Sequence, residues 1–400
     1  MGTRLLVVSS VLPGSENVGG IILGDLLKAY GLKDVCLFHL PPVSEDDQQR
    51  YGELGISIEM VHASVVPKSR KLAGRLGSIT RLIEYQTRVR PSLSKVVAHV
   101  VRFARAESVS RILLVLDCPV ALWIGKALTA GIGIPVYALV WDHPDYVLTR
   151  YGVDRYTKSR VIRSFAECIR GSVRTAVVSE VMQQEFSERY GANAVILRHA
   201  VSTAASEYPR TSQVIGGSDA IRIGFAGSCY ALTAWQSLLD ALCILDWRVG
   251  NNPLILRTLG DDMRFRVKSK ASIEHLGWRD VSETVRLLSE CSVNYLPQPF
   301  ESWLDPLSRY SFPTKFSTYL AAGRPVLIHA PAFSALTSFC ETRSVGPVTR
   351  TLSPQGLADA LKGICTDSAA YQKARQEVRR LAGGEFSVAT YRDRVLAFLG

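Results

Sequence analysis

Residues 310–328 read YSFPTKFSTYLAAGRPVLI. Pro313 fixes the approach to a helix, and Lys315 stands at its start, where an ammonium group and backbone N–H groups would both face a diphosphate. Ala321, Ala322 and Gly323 let that helix end close against a sheet. Arg324-Pro325 then leads into a strand. The alternative for Lys315 is an ordinary surface lysine near a helix start.

Outward from this stretch, short β-branched runs alternate with helical segments. Upstream lie the strand IRIGFAG (221–227), a helix from about Ala234 to Leu245, and the strands LILRTLG, IEHLG and SVNYLP. Downstream the chain is helical, ending in an amphipathic segment from Ala369 to Leu399. The first half repeats the pattern with strands at Leu5–Ser9, Val35–Phe38, Ser57–Val61, Arg111–Leu116, Pro135–Trp141 and Thr175–Ser179. Ser179-Glu180 opens a helix that Gly191 ends. Strands alternating with helices mean an α/β protein with mostly parallel sheets covered on both faces. The polar stretch from Ser202 to Asp219 has no periodic apolar face and reads as an interdomain linker. Two doubly wound halves would place a ligand cleft at the carboxyl ends of their strands.

With 400 residues, 47% hydrophobic and 21% charged, the chain is globular and long enough for two cores. Its longest apolar runs are far short of the roughly 20 residues of a membrane span, and Leu5–Val8 is too short for a signal-peptide core. Eight scattered cysteines without a C-x-x-C pair read as reduced core thiols of a cytoplasmic protein. The net charge of +11 is concentrated. Between Lys68 and Arg105 there are ten basic residues against one acid, Glu84. The strip is either a solvated helical face or a surface for polyanions such as an anionic membrane.

The dinucleotide fingerprint, the P-loop and the G-x-S-x-G elbow are absent, and neither a D-x-D motif nor a His/Cys cluster offers a metal site. No cofactor is expected. Phosphate would be held by helix N-termini, glycine loops and basic side chains.

The 313–326 segment resembles the P-x-K-x-x-E-Y-x-A-x-G-x-P-V motif of retaining glycosyltransferases of the GT-B fold. Other segments follow in that family's order. Gly19-Gly20 resembles its glycine loop, TAVVSEVMQQEFSERYGANAVILRHAV the stretch closing its first domain, RIGFAGS its second-domain opening strand, and EHLGW its nucleobase-flanking strand. The resemblance covers most of residues 1–345. It implies an acceptor domain at 1–203, a linker at 204–220, a nucleotide-sugar donor domain at 221–385, and a C-terminal helix at 386–400 placed to cross back to the first domain. It also implies sugar transfer from a nucleoside diphosphate sugar to a hydroxyl acceptor (glycan, lipid-linked or small molecule), with retention and without metal. The family's two glutamates fall at Tyr310 and Thr318, and its Arg/Lys pair at Ser228 and Ala234. These departures leave Lys315 as the main matched diphosphate contact, with Arg324 or Arg309 as helpers and Glu301 or Asp305 as substitute acids. They also keep open a catalytically inactive partner protein, or a sugar-nucleotide epimerase on the same fold.

The expected donor-binding set is Gly19, Gly20, Gly227, Ser228, Gly277, Trp278, Arg279, Pro313, Thr314, Lys315 and Thr318. Trp278 would stack on the base or serve as rim packing, and Gly19-Gly20 would approach phosphate or form a plain turn. Asp142 and His143, closing an apolar strand, are the catalytic candidates. Their alternative is a turn-forming Asp-His-Pro that caps the next segment. A peripheral place at the inner membrane face, through Lys68–Arg105, and no nucleic acid partner complete the expectation.

Overall fold

In the computed structural model, which describes residues 4–14, 17–40, 49, 51, 54, 56–60, 83–201, 220–261 and 272–400, the apolar runs become strands. The strands β1 (Leu5–Ser9), β2 (Val35–His39) and β12 (Val293–Pro297) are buried at every position. Such unbroken burial needs helices on both faces, hence parallel pairing with crossovers.

The first sheet consists of β1, β2, β3 (Ile58–Met60), β4 (Arg111–Val115), β5 (Val136–Leu139), β6 (Arg174–Val177) and β7 (Ala194–Ile196). Its order is β3-β2-β1-β4-β5-β6-β7, parallel throughout, with Leu5 opposite both Val35 and Arg111. The second consists of β8 (Ile221–Gly227), β10 (Asn252–Gly260), β11 (Ile273–His275), β12, β13 (Val326–His329) and β14 (Val348–Thr349), with β9 (Arg248–Val249) antiparallel to β10. Its order is β11-β10-β8-β12-β13-β14. Counted within its own half, that is again 3-2-1-4-5-6, the doubly wound order whose direction reverses beside the first strand. A ligand crevice is therefore expected at the carboxyl ends of β1 and β4, and of β8 and β12.

Two compact units result: residues 1–197 with 392–400, and residues 198–391. The expected linker at 204–220 lies outside the described residues except for Ala220. In the second unit, Trp235 meets Phe225 and Tyr295 edge-on at 4.7 and 5.4 Å, within a core built from β8, β10, β12, β13 and three covering helices. In the first, Phe165, Phe186 and Tyr190 form a similar edge-to-face trio.

Helix limits follow local chemistry. Ser179 caps the helix Glu180–Tyr190 by accepting from Met182 N–H, and Gly191 closes it in the left-handed region at φ 66°. Two expectations change. Gly19 and Gly20 sit in the first turn of the helix Val18–Tyr30 rather than in a loop before it, because Asn17 caps that turn through Gly20 N–H. The segment 369–399 is two helices, Ser368–Gly383 and Val388–Leu399, parted at Gly383-Gly384. Among the described residues no helix is long and apolar enough to cross a membrane.

Candidate functional site

In the second unit the carboxyl edge gathers most of the expected donor residues. Strand β8 ends at Gly227, whose φ of 96° suits glycine, and a Cβ there would lie 2.8 Å from Lys315 Cε. The Lys315 ammonium donates to the Ser228 carbonyl. It also lies 4.4 Å from the centre of the Phe225 ring and 5.0 Å from that of Tyr230. One turn along the helix Lys315–Ala321, Tyr319 Oη accepts from Ala226 N–H at 2.9 Å and fixes this face against β8. Burial pulls the Lys315 pKa down to about 7, outweighing Cys229 and Asp261, which favour its charge.

Neighbouring strands extend the edge. Gly260 N–H donates to the Gly277 carbonyl at 3.0 Å, joining the ends of β10 and β11. Gly277, at φ 68°, turns the chain so that Trp278 is 58% exposed beside Arg279. Two inter-strand steps, about 10 Å, separate the ends of β11 and β8. That interval suits a base at Trp278 and a diphosphate at Lys315.

Other expectations land elsewhere. Phe316 and Ser317 N–H groups bond to the Pro313 and Thr314 carbonyls, so the first turn of the lysine's helix has fewer donors for a phosphate than expected. Arg324 donates through Nε to Ser289 O at 2.6 Å, at the amino edge of β12 and β13. Because the strands are parallel, that is the opposite end from Lys315. Arg309 lies over Phe333. Glu301 Oε1 accepts from both N–H and Oγ1 of Thr233 at 3.0 Å, capping the helix Leu232–Ile244, while its Oε2 is buried without a partner. Asp305 opens a short helix. Thr318, half-buried, lies one turn from Lys315.

In the first unit, a Cβ on Gly19 would come within 3.2 Å of the Trp141 ring, so the glycine lets the start of its helix approach the end of β5. Asp142 follows, half-buried. His143 turns inward. It is 2% exposed, accepts from Asp145 N–H at 3.3 Å as the cap of the helix Pro144–Arg150, and holds Nε2 3.3 Å from Glu185 Oε2. That is the capping turn weighed as the alternative for His143, with Pro144 at the first helical position.

One residue was missed. Asp117 follows β4, where the first sheet reverses order. Its Oδ2 accepts from Ser9 Oγ at 3.4 Å and from Ser10 N–H at 3.3 Å, while Oδ1 is buried without a partner. Burial, opposed by those bonds, raises its pKa to about 6. A repeat marks it in the sequence: Asp117-Cys118-Pro119 matches Asp142-His143-Pro144. In each, a strand is followed by an aspartate, then by a capping residue, then by a helix that proline opens.

The sequence matches no protein-family model and no curated protein. Solved structures do match, over the full chain. Anabaena HepE in complex with UDP and glucose superposes with a TM-score of 0.66 at 16% identity, over 100% of this chain and 99% of that one. The chain has the GT-B fold. The same likeness extends to a sucrose-phosphate synthase from Thermosynechococcus elongatus, with a TM-score of 0.64, 13% identity and coverage of 99% and 98%. It also extends to the E. coli trehalose-6-phosphate structure bound with UDP-2-fluoro glucose, at 0.62, 10%, and again 99% and 98%. In this GT-B chain the residues along the carboxyl edge of the second sheet are the candidate donor site.

Proposed function

We propose that this protein is a glycosyltransferase that moves a sugar from a nucleoside diphosphate sugar to a hydroxyl acceptor, with retention and without a required metal. The observation that carries the reading is the Lys315 ammonium, pressed against Gly227 and Ser228 at the carboxyl end of β8. A cation there, mostly removed from water, stabilises the charge that develops on a departing diphosphate more than it would in bulk solvent. Trp278 stacks on the base, and Gly277 and Arg279 flank it. Uridine is the favoured base, since the HepE and E. coli structures of this fold were obtained with UDP or a UDP sugar.

Asp117 and Asp142, on the carboxyl edge of the first sheet, orient acceptor hydroxyls. His143 supports Asp142 by fixing the turn. The exposed basic side chains Arg90, Lys95, Arg102 and Arg105, on the helix Arg90–Ala106, dock an anionic membrane that carries a lipid-linked acceptor. Of the rest of the strip, Lys68, Arg70, Lys71, Arg75 and Arg81 lie outside the described residues.

The test is thermal stabilisation by UDP, GDP and dTDP, in wild type and Lys315→Ala. UDP is expected to raise the melting temperature of the wild type alone. A chain that no nucleoside diphosphate stabilises is a non-catalytic partner protein, the reading that Tyr310 and Thr318 in place of the glutamates would favour. Conversion of a UDP sugar without any acceptor would point to an epimerase.

A further inference from the structure

The helix Ser368–Gly383 packs an apolar stripe inward, formed by Tyr371, Ala374, Val378, Leu381 and Ala382. Arg375 interrupts this stripe and is only 7% exposed. Its Nε is buried without a hydrogen-bond partner, and among the described residues no carboxylate pairs with it. A buried guanidinium nitrogen left without an acceptor costs free energy.

Its surroundings add positive charge. Tyr371, one turn earlier, donates to Ser292 O at 2.9 Å and holds this part of the helix over the amino end of β12. At the same edge stands Arg324, 4% exposed, whose Nε bonds Ser289 O. Arg379, one turn beyond Arg375, is exposed and makes no ion pair among the described residues. Burial holds Arg375 below its ordinary range, and the like charges of Arg379 and Arg324 push the same way. The nearby acids are committed. Glu377 pairs with Arg380 at 2.7 Å, and Glu290 pairs with Arg257 at 2.8 Å and with Arg286 at 2.5 Å. The carboxyl end of the helix Val281–Ser289 favours the charge of Arg324, but it leaves Arg375 Nε unsatisfied.

We infer that Arg324, Arg375 and Arg379 form a second anion site, at the amino edge of the second sheet, that takes a phosphate dianion. Planar guanidinium groups on successive turns suit the several acceptor oxygens of a phosphate. The site lies at the opposite end of the strands from Lys315 and stands whether or not the donor reading holds. Free phosphate and the phosphomonoester headgroup of phosphatidic acid share this chemistry.

The test is the melting temperature of the full chain, titrated with inorganic phosphate against chloride at constant ionic strength. Phosphate should raise the melting temperature of wild type and of Lys315→Ala alike, but not that of Arg375→Met, which should fold at least as stably without phosphate. Arg379→Gln alters an exposed position and should weaken the phosphate midpoint about tenfold, as loss of one charged contact does. A phosphate shift that survives in both arginine variants overturns the proposal. Phosphatidic acid and phosphatidylcholine vesicles separate the sources. Arg375-dependent binding to the former without any response to inorganic phosphate assigns the lipid headgroup. No Arg375-dependent response to either probe overturns the site.

Discussion

UDP binding at pH 8 should draw close to one proton from solution into the donor site. Burial holds Lys315 at about 7 in the free protein. At pH 8 only about one lysine in eleven is then charged, whereas a bound diphosphate, itself anionic, favours the charged form. The lysine's share of the uptake should therefore be about 0.9 proton per UDP at pH 8, about 0.5 at pH 7 and about 0.1 at pH 6, read as the difference between wild type and Lys315→Arg. The lysine's contribution to affinity should be flat below pH 6 and fall about tenfold per unit above pH 7, about 1.4 kcal/mol for each unit. Calorimetry in buffers of different ionisation enthalpy measures the uptake directly. Lys315→Arg, which stays charged throughout, should remove both that share and this pH dependence. The stability of the free protein moves in the other direction. The unfolded chain keeps this proton up to its ordinary 10.5, so between pH 7 and 10.5 the unfolded state binds more protons and stability rises with pH. UDP binding with no proton uptake at pH 8 would refute the reasoning, because it would mean that Lys315 is either already charged or not at the diphosphate.

Other expectations follow from the same two edges. Trp278→Ala should weaken UDP about tenfold or more while leaving pyrophosphate binding unchanged, as measured by competition, because stacking contributes about 1–3 kcal/mol. Gly227→Ala meets Lys315 Cε at 2.8 Å with a φ of 96°; it should lower stability by about 1–3 kcal/mol and abolish the UDP thermal shift. Asp117 holds its proton to about 6 when folded but only to about 3.8 when unfolded, so its contribution to stability is present below pH 3.8 and is lost as pH rises through 6. Asp117→Asn should accordingly stabilise the protein at pH 7 by about 1–2 kcal/mol after screening at a half-buried edge, with transfer to acceptor lost and UDP binding retained. Replacing Arg90, Lys95 and Arg102 by glutamate should abolish salt-sensitive binding to anionic vesicles, each basic residue contributing about 1 kcal/mol.

Much of this was legible in the sequence because buried parallel strands cannot disguise themselves: LLVVS and VCLFH are buried at every position, and IRIGFAG at all but Arg222 and Gly227. The place of Lys315 at the start of its helix was legible for a related reason, since proline, lysine and a small-residue helix end stand in fixed order. What escaped depended on competition between local signals. Asn17 outbid the flexibility of Gly19 and Gly20 and drew them into a helix. His143 looked polar and cleft-facing, yet its ring serves the backbone two residues on and the inner side of Glu185. Asp117 was hidden in an apolar context, although the repeated Asp-x-Pro pattern would have exposed it. The two-residue strands β9 and β14 carry too little pattern to be seen at all.

The assignment of residues 392–400 to the first unit bears on how the chain is made. Arg174 of β6 donates to the Phe398 carbonyl at 3.3 Å, and Phe398 lies edge-on to Tyr137 at 5.7 Å. About 190 residues, the whole second unit, leave the ribosome before these partners do. At about 5–20 residues per second that is a wait of about 10–40 s, during which the strands β5 and β6 lack their final cover. A nascent first half therefore presents bare apolar surface to chaperones for that interval. A recombinant first half ending at residue 197 would keep that surface for good, unless the last nine residues were supplied as a peptide.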